Sequence, residues 1–118
     1  MTGGARGLGL EMMRALAECG ASVACVDLLA EMGAQACMDI EKEYNVKASS
    51  WACDVTSYEE VQKLFGQIAK QHGSIDILVT AAGIVKNVKA EEHKPEDFAR
   101  IMNVNVNGSF FCCQAAAG

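Results

Sequence analysis

The order of segments in this sequence predicts an α/β fold, a doubly wound parallel sheet with helices on both faces. Short apolar runs of strand length alternate with segments of helical periodicity. A glycine cluster leads directly into the first helical segment. Aromatic residues make up only 6% of the chain while glycine occurs 11 times, a composition that suits helices packed closely on a sheet.

The first half of the chain is predicted to form two helices and two strands. Residues 8–19 have helical apolar spacing and stop at Gly20, which acts as a C-terminal glycine. Residues 22–26 form a short apolar run typical of a buried strand. A second helix over 28–44 and a second strand over 47–53 follow. The expected buried stripes of the two helices are Leu8, Met12 and Leu16, with Met13 and Ala17 beside them, and then Met32, Ala36 and Ile40.

The third helix has the clearest start in the sequence. Ser57 and Glu60 form a capping box, in which the serine side chain and the glutamate three residues later each accept a backbone N–H. The helix is expected to end before Gly73. Its predicted buried stripe is Val61, Leu64, Phe65 and Ile68.

The last part of the chain is predicted to hold one more strand and one long helix. Residues 75–80 form the strand, and 81–94 form a loop. Pro95 suits the first turn of a helix that we expect to continue, with a kink, to residue 117. Five methionines are interpreted as core fillers, namely Met12, Met13, Met32, Met38 and Met102.

Composition excludes several function classes. The chain is 118 residues long, the size of one domain, and is 51% hydrophobic, which excludes a disordered protein. Its 10 Lys+Arg and 15 Asp+Glu give a net charge of −5, which disfavours nucleic acid and anionic membranes as partners. No apolar run reaches the roughly 18 residues of a membrane span, and residues 1–6 have no apolar stretch typical of a secretory leader, so we expect neither.

The cysteines predict a reduced, cytoplasmic protein. The six cysteines form no Cys-x-x-Cys pair, and neither His72 nor His93 has a cysteine at metal-ligand spacing. We therefore expect free, mostly buried thiols and no metal site, with a disulfide framework as the alternative.

The glycine cluster is the strongest candidate for a ligand site. Gly3, Gly7 and Gly9, with Arg6 and Leu8 between them, run into a helix whose N-terminal N–H groups favour an anion. The spacing matches neither Gly-x-Gly-x-x-Gly nor the phosphate loop of nucleotide triphosphatases. The cluster therefore predicts a pyrophosphate cradle, with a plain glycine-rich turn as the alternative.

Asp27 indicates which nucleotide this cradle would take. It directly follows the predicted strand over 22–26. At this end of a strand an acid can accept hydrogen bonds from both ribose hydroxyls of a nucleotide. A 2′-phosphate there would meet a like charge, so we expect NAD to be preferred. Arg6 could instead pair with that phosphate, which keeps NADP possible. The alternative role of Asp27 is a helix N-cap.

Two further strand ends complete the predicted crevice. Asp54 closes the strand over 47–53 and could accept from an adenine amino group, or could merely form an Asx turn. Ala81, Ala82 and Gly83 follow the strand over 75–80, where small side chains let a flat ring or ribose lie against the backbone.

These motifs together resemble the short-chain dehydrogenases/reductases. The Thr2-Gly3-x-x-x-Gly7-x-Gly9 pattern is similar to their cofactor loop, and Asp27 stands where NAD-preferring members carry an acid. Asp54-Val55 resembles their adenine-contacting pair. Thr80-Ala81-Ala82-Gly83 resembles Asn-Asn-Ala-Gly with both asparagines replaced, and residues 104–110 resemble Val-Asn-x-x-Gly-x-Phe.

The resemblance implies an NAD(P)-dependent oxidoreductase that interconverts an alcohol and a carbonyl by hydride transfer. Residues 1–118 would then be part of a Rossmann-like cofactor-binding domain. Asn105 would be the catalytic asparagine that positions a water in the proton relay, although an asparagine beside Asn107-Gly108 could simply interrupt a helix. Residues 90–117 are also reminiscent of polyol- and ketose-reducing members. A homo-oligomer would be possible for the full-length form.

The resemblance also implies parts that this chain lacks. The family's proton transfer needs a serine and a Tyr-x-x-x-Lys, and neither Tyr44 nor Tyr58 has a lysine four residues later. The family's first strand would precede Thr2, where only Met1 stands. We therefore expect an incomplete sheet with a gap beside the strand over 22–26 and a glycine loop without its anchor. The chain is expected to be marginally folded, without turnover, and able at most to bind cofactor.

Two other functions use similar sequence features. A methyltransferase-like domain binding S-adenosylmethionine also has a glycine loop and acids after its strands. The chain could also be a non-catalytic nucleotide-binding module, which would explain why it has no Tyr-x-x-x-Lys motif.

Overall fold

A computed structural model describes all residues from 1 to 118 and shows helices packed on both faces of a small parallel sheet. The helices are α1 (Gly7–Glu18), α2 (Ala30–Tyr44), α3 (Tyr58–His72), α4 (Pro95–Met102) and α5 (Ser109–Ala117), and the strands are β1 (Val23–Val26) and β2 (Ala48–Trp51). A 3-10 turn (Ala90–Glu92) lies in the long loop, and a π-helical segment (Asn103–Gly108) joins α4 to α5. The predicted α/β class is confirmed.

Residues 1–3 join the sheet to the segment that ends at Thr80. β1 and β2 pair in parallel, with Val23 opposite Ala48 and Val26 opposite Trp51. Thr2 forms parallel bridges to Val26 on one side and to Thr80 on the other, so it stands between two segments that do not pair with each other.

Two expectations about this region are wrong. Residues 75–80 do not form a strand, because Thr2 reaches only Thr80 and no ladder partner lies beside the rest of the segment. The glycine loop does keep an anchor. The N–H of Thr2 donates to the Val79 carbonyl at 3.0 Å, and the N–H of Gly3 donates to the Val26 carbonyl at 2.9 Å.

The core consists of two apolar clusters, one on each face of the sheet. Met13, Cys25 and Ile40 are central to the cluster under α1 and α2. The cluster under α3 and α5 includes the whole predicted stripe of α3 and Cys112. The capping box is confirmed at its serine, whose Oγ accepts from the Glu60 N–H. This two-sided burial is what a doubly wound sheet requires.

The structure buries Met13 and Ala17, which were expected beside the stripe of α1, and exposes Leu8 and Met12 of the stripe itself. The helix buries Gly9, Met13 and Ala17, while Leu8 is 82% exposed. The cause is the close approach of α1 to its own loop: a Cβ on Gly9 would lie 1.9 Å from the Gly3 carbonyl oxygen, so only glycine allows this rotation. Of the methionines interpreted as core fillers, only Met13 is fully buried; the exposed ones are Met12, Met32, Met38 and Met102.

The long C-terminal helix is interrupted where a kink was expected. The π-helical segment carries one wide turn between α4 and α5, a local geometry that often marks functional sites. Within it, Gly108 packs against Val55, where a Cβ would come within 2.7 Å of the valine Cγ2. No helix in the structure combines the length and the hydropathy that crossing a membrane would require.

Candidate functional site

The candidate site is a cleft of about 450 Å³ at the edge of the sheet where β1 and β2 end. Five separate segments line it: the glycine loop, the ends of both strands, the residues that follow Thr80, and the stretch that holds Arg100 and Val104. All of the predicted cofactor residues lie on it, namely Gly3, Arg6, Gly7, Leu8, Gly9, Asp27, Asp54, Val55, Ala81, Ala82 and Gly83. Asn105 does not line the cleft.

The glycine loop brings backbone N–H groups to one side of this cleft. Gly3 and Gly7 have φ angles of 67° and 61°, which residues with a side chain rarely adopt. A Cβ on Gly3 would lie 2.7 Å from the backbone of Ala81. The first N–H groups of α1 have no carbonyl four residues earlier within the helix, so they are free to bind an anion.

Thr2 connects the loop to the opposite wall, a role that the sequence analysis missed. Its side chain is buried, and its Oγ1 accepts from the N–H groups of Ala81 at 3.2 Å and Ala82 at 3.3 Å. Its position directly before Gly3, in the motif of the cofactor loop, was the available signal.

Asp27 stands at the end of β1 and faces the loop. Its Oδ2 accepts from the Ala5 N–H at 3.1 Å, and its Oδ1 accepts from the Leu29 N–H at 3.0 Å. The alternative N-cap role is not observed, because α2 begins at Ala30 with no side-chain cap. Each carboxylate oxygen accepts a single bond within the chain and keeps capacity for a ligand hydroxyl.

Asp54 combines the two roles considered for it. Its Oδ1 accepts from the Thr56 N–H at 3.0 Å and from the Thr56 hydroxyl at 2.7 Å, which is the Asx turn. Its Oδ2 accepts no hydrogen bond within the chain, and the residue lines the cleft. A turn-forming aspartate can therefore still present one carboxylate oxygen to a ligand.

Asn105 holds one wall of the cleft from behind. Its Oδ1 accepts from the Ile84 N–H at 2.9 Å, and its Nδ2 donates to the Ile84 carbonyl at 3.0 Å. A Cβ on Gly83 would lie 3.2 Å from the same Oδ1. The Asn105 carbonyl in turn accepts from the Ser109 hydroxyl at 3.0 Å. The wide π-helical turn thus directs this side chain to the loop that follows Thr80.

The cleft carries charges of both signs. Arg6 and Arg100 line it together with Asp27 and Asp54, and neither arginine takes part in a salt bridge. Burial raises the pKa of the Cys53 thiol to about 11, so this cleft residue stays protonated at neutral pH and is no nucleophile. Tyr44 and Tyr58 do not line the cleft. The sequence analysis did not predict that Arg100 lines the cleft, because its position there depends on how α4 packs against the rest of the chain.

Comparisons with known proteins agree with this geometry. The family model described as short chain dehydrogenase matches residues 1–118. D-arabinitol 2-dehydrogenase (ribulose-forming) of Candida albicans is 36% identical over 99% of this chain. D-threitol dehydrogenase of Mycolicibacterium smegmatis is 37% identical over 98% of it. An alcohol dehydrogenase of the archaeon Thermococcus sibiricus, solved with 5-hydroxy-NADP, is 26% identical over 99% of this chain, with a TM-score of 0.94.

The chain spans about half the length of the relatives it matches. It covers 46% of the arabinitol enzyme, 44% of the threitol enzyme and 50% of the archaeal structure. These similarities favour the dehydrogenase interpretation over the methyltransferase-like one.

Proposed function

We infer the function from the premise that this chain belongs to the short-chain dehydrogenase family. We propose that residues 1–118 are the cofactor-binding part of an NAD(P)-dependent oxidoreductase. The observation that carries the proposal is the glycine cradle, because a side chain on Gly3 or Gly9 would collide with backbone there. Such a cradle admits a pyrophosphate next to free N–H groups.

The residues of the cleft fit a dinucleotide in a consistent order. Gly7, Leu8 and Gly9 would hold the pyrophosphate, with Gly3 giving it close approach to the loop. Asp27 would accept from the ribose hydroxyls, and the Asp54–Val55 pair would lie along the adenine. Ala81, Ala82 and Gly83 form the flat, small-residue wall opposite. The cofactor, when bound, supplies or accepts the hydride.

The proposed preference is for NAD over NADP. The Asp27 carboxylate would repel a 2′-phosphate, and its two backbone hydrogen bonds fix it in place. Arg6 has no acidic partner, so it gives NADP a weaker second option.

For the whole protein we propose oxidation of an alcohol, or reduction of the matching carbonyl, with a polyol as the substrate class. The arabinitol and threitol dehydrogenases support the polyol class. Asn105 would position a water for proton transfer in that form. The six free cysteines favour a cytoplasmic protein, and assembly into homo-oligomers is part of the proposal for the full-length form.

The direct test is cofactor binding by the purified chain. Trp51 is the single tryptophan, so energy transfer from it to NADH reports binding. We expect Gly9→Ala to lower NADH affinity at least about tenfold, because its Cβ would meet the Gly3 carbonyl at 1.9 Å. Gly66→Ala is the matched control, since a Cβ there meets nothing within 4 Å and NADH affinity should not change.

Other outcomes separate the alternatives. Binding of S-adenosylmethionine without NADH would overturn the proposal. NADH-linked turnover by the chain alone would show that it is more than a cofactor-binding part. Binding of NADH in a full-length protein that never turns over a polyol, alcohol or ketone would favour a non-catalytic nucleotide-binding module.

A further inference from the structure

Two of the free thiols meet where β1 and α2 pack together. Cys25 lies on β1 and Cys37 lies on α2, and both belong to the apolar cluster under α1 and α2. The Cys25 thiol donates a hydrogen bond to the Cys37 sulfur, so the two sulfur atoms are in direct contact. The Cys37 thiol in turn donates to the Ser49 carbonyl at 3.3 Å. These bonds hold both sulfurs against the same part of the sheet.

A glycine on α2 allows this contact. Gly33 lies one helical turn before Cys37, and a Cβ there would lie 2.8 Å from the Ser50 Oγ and 3.6 Å from the Cys25 Sγ. A side chain at this position would press on Ser50, which is the partner of Cys25 in the register of the two strands. The close approach of α2 to the sheet therefore falls at the two cysteines.

The two sulfurs differ in reactivity. The hydrogen bond from Cys25 lowers the pKa of the Cys37 thiol below its usual value of 9.0, because it stabilises the thiolate. The same bond, together with burial, raises the pKa of the Cys25 thiol, which keeps its proton at neutral pH. Cys37 is 4% exposed and Cys25 is 0% exposed, so an oxidant from solvent meets Cys37 first. The thiolate is the form that reacts, which also favours Cys37.

We propose that Cys25 and Cys37 are a redox-modification site, at which a hydroperoxide converts the two thiols to a reversible disulfide. A disulfide bond is about 2.05 Å long, so sulfurs that already touch reach it by a small movement. In reducing compartments disulfides are usually transient and redox-sensing, which suits a pair that is free in this structure. The ring closed by the bond would contain Asp27, so oxidation would restrain the turn that lines the cofactor cleft.

The oxidation takes two steps, shown here for hydrogen peroxide. The Cys37 sulfur, after losing its proton to solvent, attacks one peroxide oxygen, so that an S–O bond forms and the O–O bond breaks. The leaving hydroxide takes up a proton and departs as water. The Cys25 sulfur then attacks the Cys37 sulfur, the S–S bond forms, and the S–O bond breaks. The hydroxide released there takes the Cys25 proton and leaves as a second water, so two electrons have passed from the thiols to the peroxide.

The test treats the reduced chain with hydrogen peroxide and then blocks every remaining thiol with N-ethylmaleimide. Cys19 and Cys113 are exposed, so both are first replaced by serine to prevent disulfides between molecules. Proteolytic cleavage after Glu31 separates Cys25 from Cys37 in the sequence. We expect mass spectrometry to find the two resulting peptides joined, and dithiothreitol to separate them. Absence of joined peptides would overturn the proposal.

Cys53 and Cys112 are a control pair within the same molecule. Both are buried in the cluster under α3 and α5, where burial raises the pKa of each thiol to about 11, and neither is hydrogen-bonded to the other. We expect the disulfide of Cys25 and Cys37 to form at least about tenfold faster than any oxidation of these two thiols. Equal rates for the two pairs would overturn the proposal.

A second control moves the α2 thiol by one position. Cys37→Ser/Met38→Cys keeps nearly the same separation in sequence from Cys25, but position 38 lies on the outer face of α2, where Met38 is 64% exposed. We expect no joined peptides from this variant. Equal yields from it and from the native arrangement would mean that chain flexibility, and not the contact of the two sulfurs, causes the disulfide.

Two single variants test the order of the steps. Cys25→Ser keeps a hydrogen-bond donor beside Cys37 but removes the second sulfur, so dimedone, a reagent for sulfenic acids, should label Cys37 after oxidation. In Cys37→Ser the buried Cys25 should stay unlabelled. Labelling of Cys25 without labelling of Cys37 would overturn the assignment. Circular dichroism checks that each variant is folded, and NADH binding in the cleft is a separate readout.

Discussion

The two ends of the sheet are built differently, although β1 and residues 75–80 border both. Next to the cofactor cleft, the backbone of Thr2 bonds to Val79 and Ala81, and the backbones of its neighbours Met1 and Gly3 bond to Val26. The Thr2 hydroxyl accepts two further N–H groups there. Farther from the cleft, no backbone hydrogen bond joins β1 to residues 75–78. The bonds of three consecutive residues therefore fix the ligand-binding edge.

The largest expected effect comes from removing the Thr2 hydroxyl, which joins the glycine loop to the opposite wall of the cleft. Thr2→Val keeps the shape of the side chain but leaves the part-buried N–H of Ala82 without an acceptor. We expect the free energy of unfolding to fall by about 2–3 kcal/mol, and NADH affinity to fall with it. Urea denaturation followed by circular dichroism measures the first.

Thr56→Val is the matched control for this change. Its hydroxyl donates to the Asp54 carboxylate at the rim of the cleft, so the loss should be smaller than that of Thr2→Val. An equal loss in both variants would mean that Thr2 is no special link between the two segments.

The next effect concerns the ligand instead of the fold. Asp27→Asn removes the charge that repels a 2′-phosphate while retaining an acceptor for the Ala5 N–H. The ratio of NADPH to NADH affinity should rise about tenfold or more, as measured by titration. Asp39→Asn, which changes an exposed acid on α2, should leave this ratio unaltered. A wild-type chain that already prefers NADPH would show that Arg6 outweighs Asp27.

A smaller effect is expected from the wall of the cleft. Asn105→Ala removes both hydrogen bonds to Ile84, so the loop after Gly83 should become more mobile. We expect about 1 kcal/mol of lost stability and faster hydrogen exchange at Ile84. Asn107→Ala, in the same π-helical segment, breaks only a bond to the Asn103 side chain and should not affect Ile84. Unchanged exchange at Ile84 in Asn105→Ala would argue against the clamp.

The smallest effect lies at the C-terminal end of α3 and depends on pH. Burial, together with Lys47, lowers the pKa of His72 below its usual 6.5, and its Nε2 lies 2.7 Å from the Ser49 hydroxyl. The histidine of the unfolded chain binds a proton more readily than that of the folded chain, so protonation favours unfolding. The stability that comes from a neutral His72 is therefore present above about pH 6.5 and is lost as the pH falls below that value. His72→Gln should flatten that part of a stability-against-pH curve, and an unchanged slope would contradict the assignment.

The sequence predicted the parts of the fold that depend on local pattern. The capped helix with Val61, Leu64, Phe65 and Ile68 on one face is present because an amphipathic stripe needs only one wall to pack against. The cleft residues were found because chain order places the carboxyl ends of parallel strands together.

What the sequence could not show depends on partners distant in the chain. Residues 75–80 have the pattern of a strand, but a strand exists only where another segment pairs with it. The rotation of α1 depends on how closely Gly9 approaches Gly3, which its apolar spacing does not reveal. The role of Thr2 depends on amides about eighty positions away, at Ala81 and Ala82.

The π-helical segment also determines how α4 and α5 are phased. Its wide turn holds about one residue more than an α-helical turn, so the helix beyond it keeps nearly the phase of a regular helix that is one residue shorter. Deleting a single residue between Asn103 and Gly108 would let the helix run on regularly and would leave Cys112 buried against α3. The same deletion would remove the wide turn that directs Asn105 to Ile84. The extra residue of this stretch therefore serves the cleft and not the core.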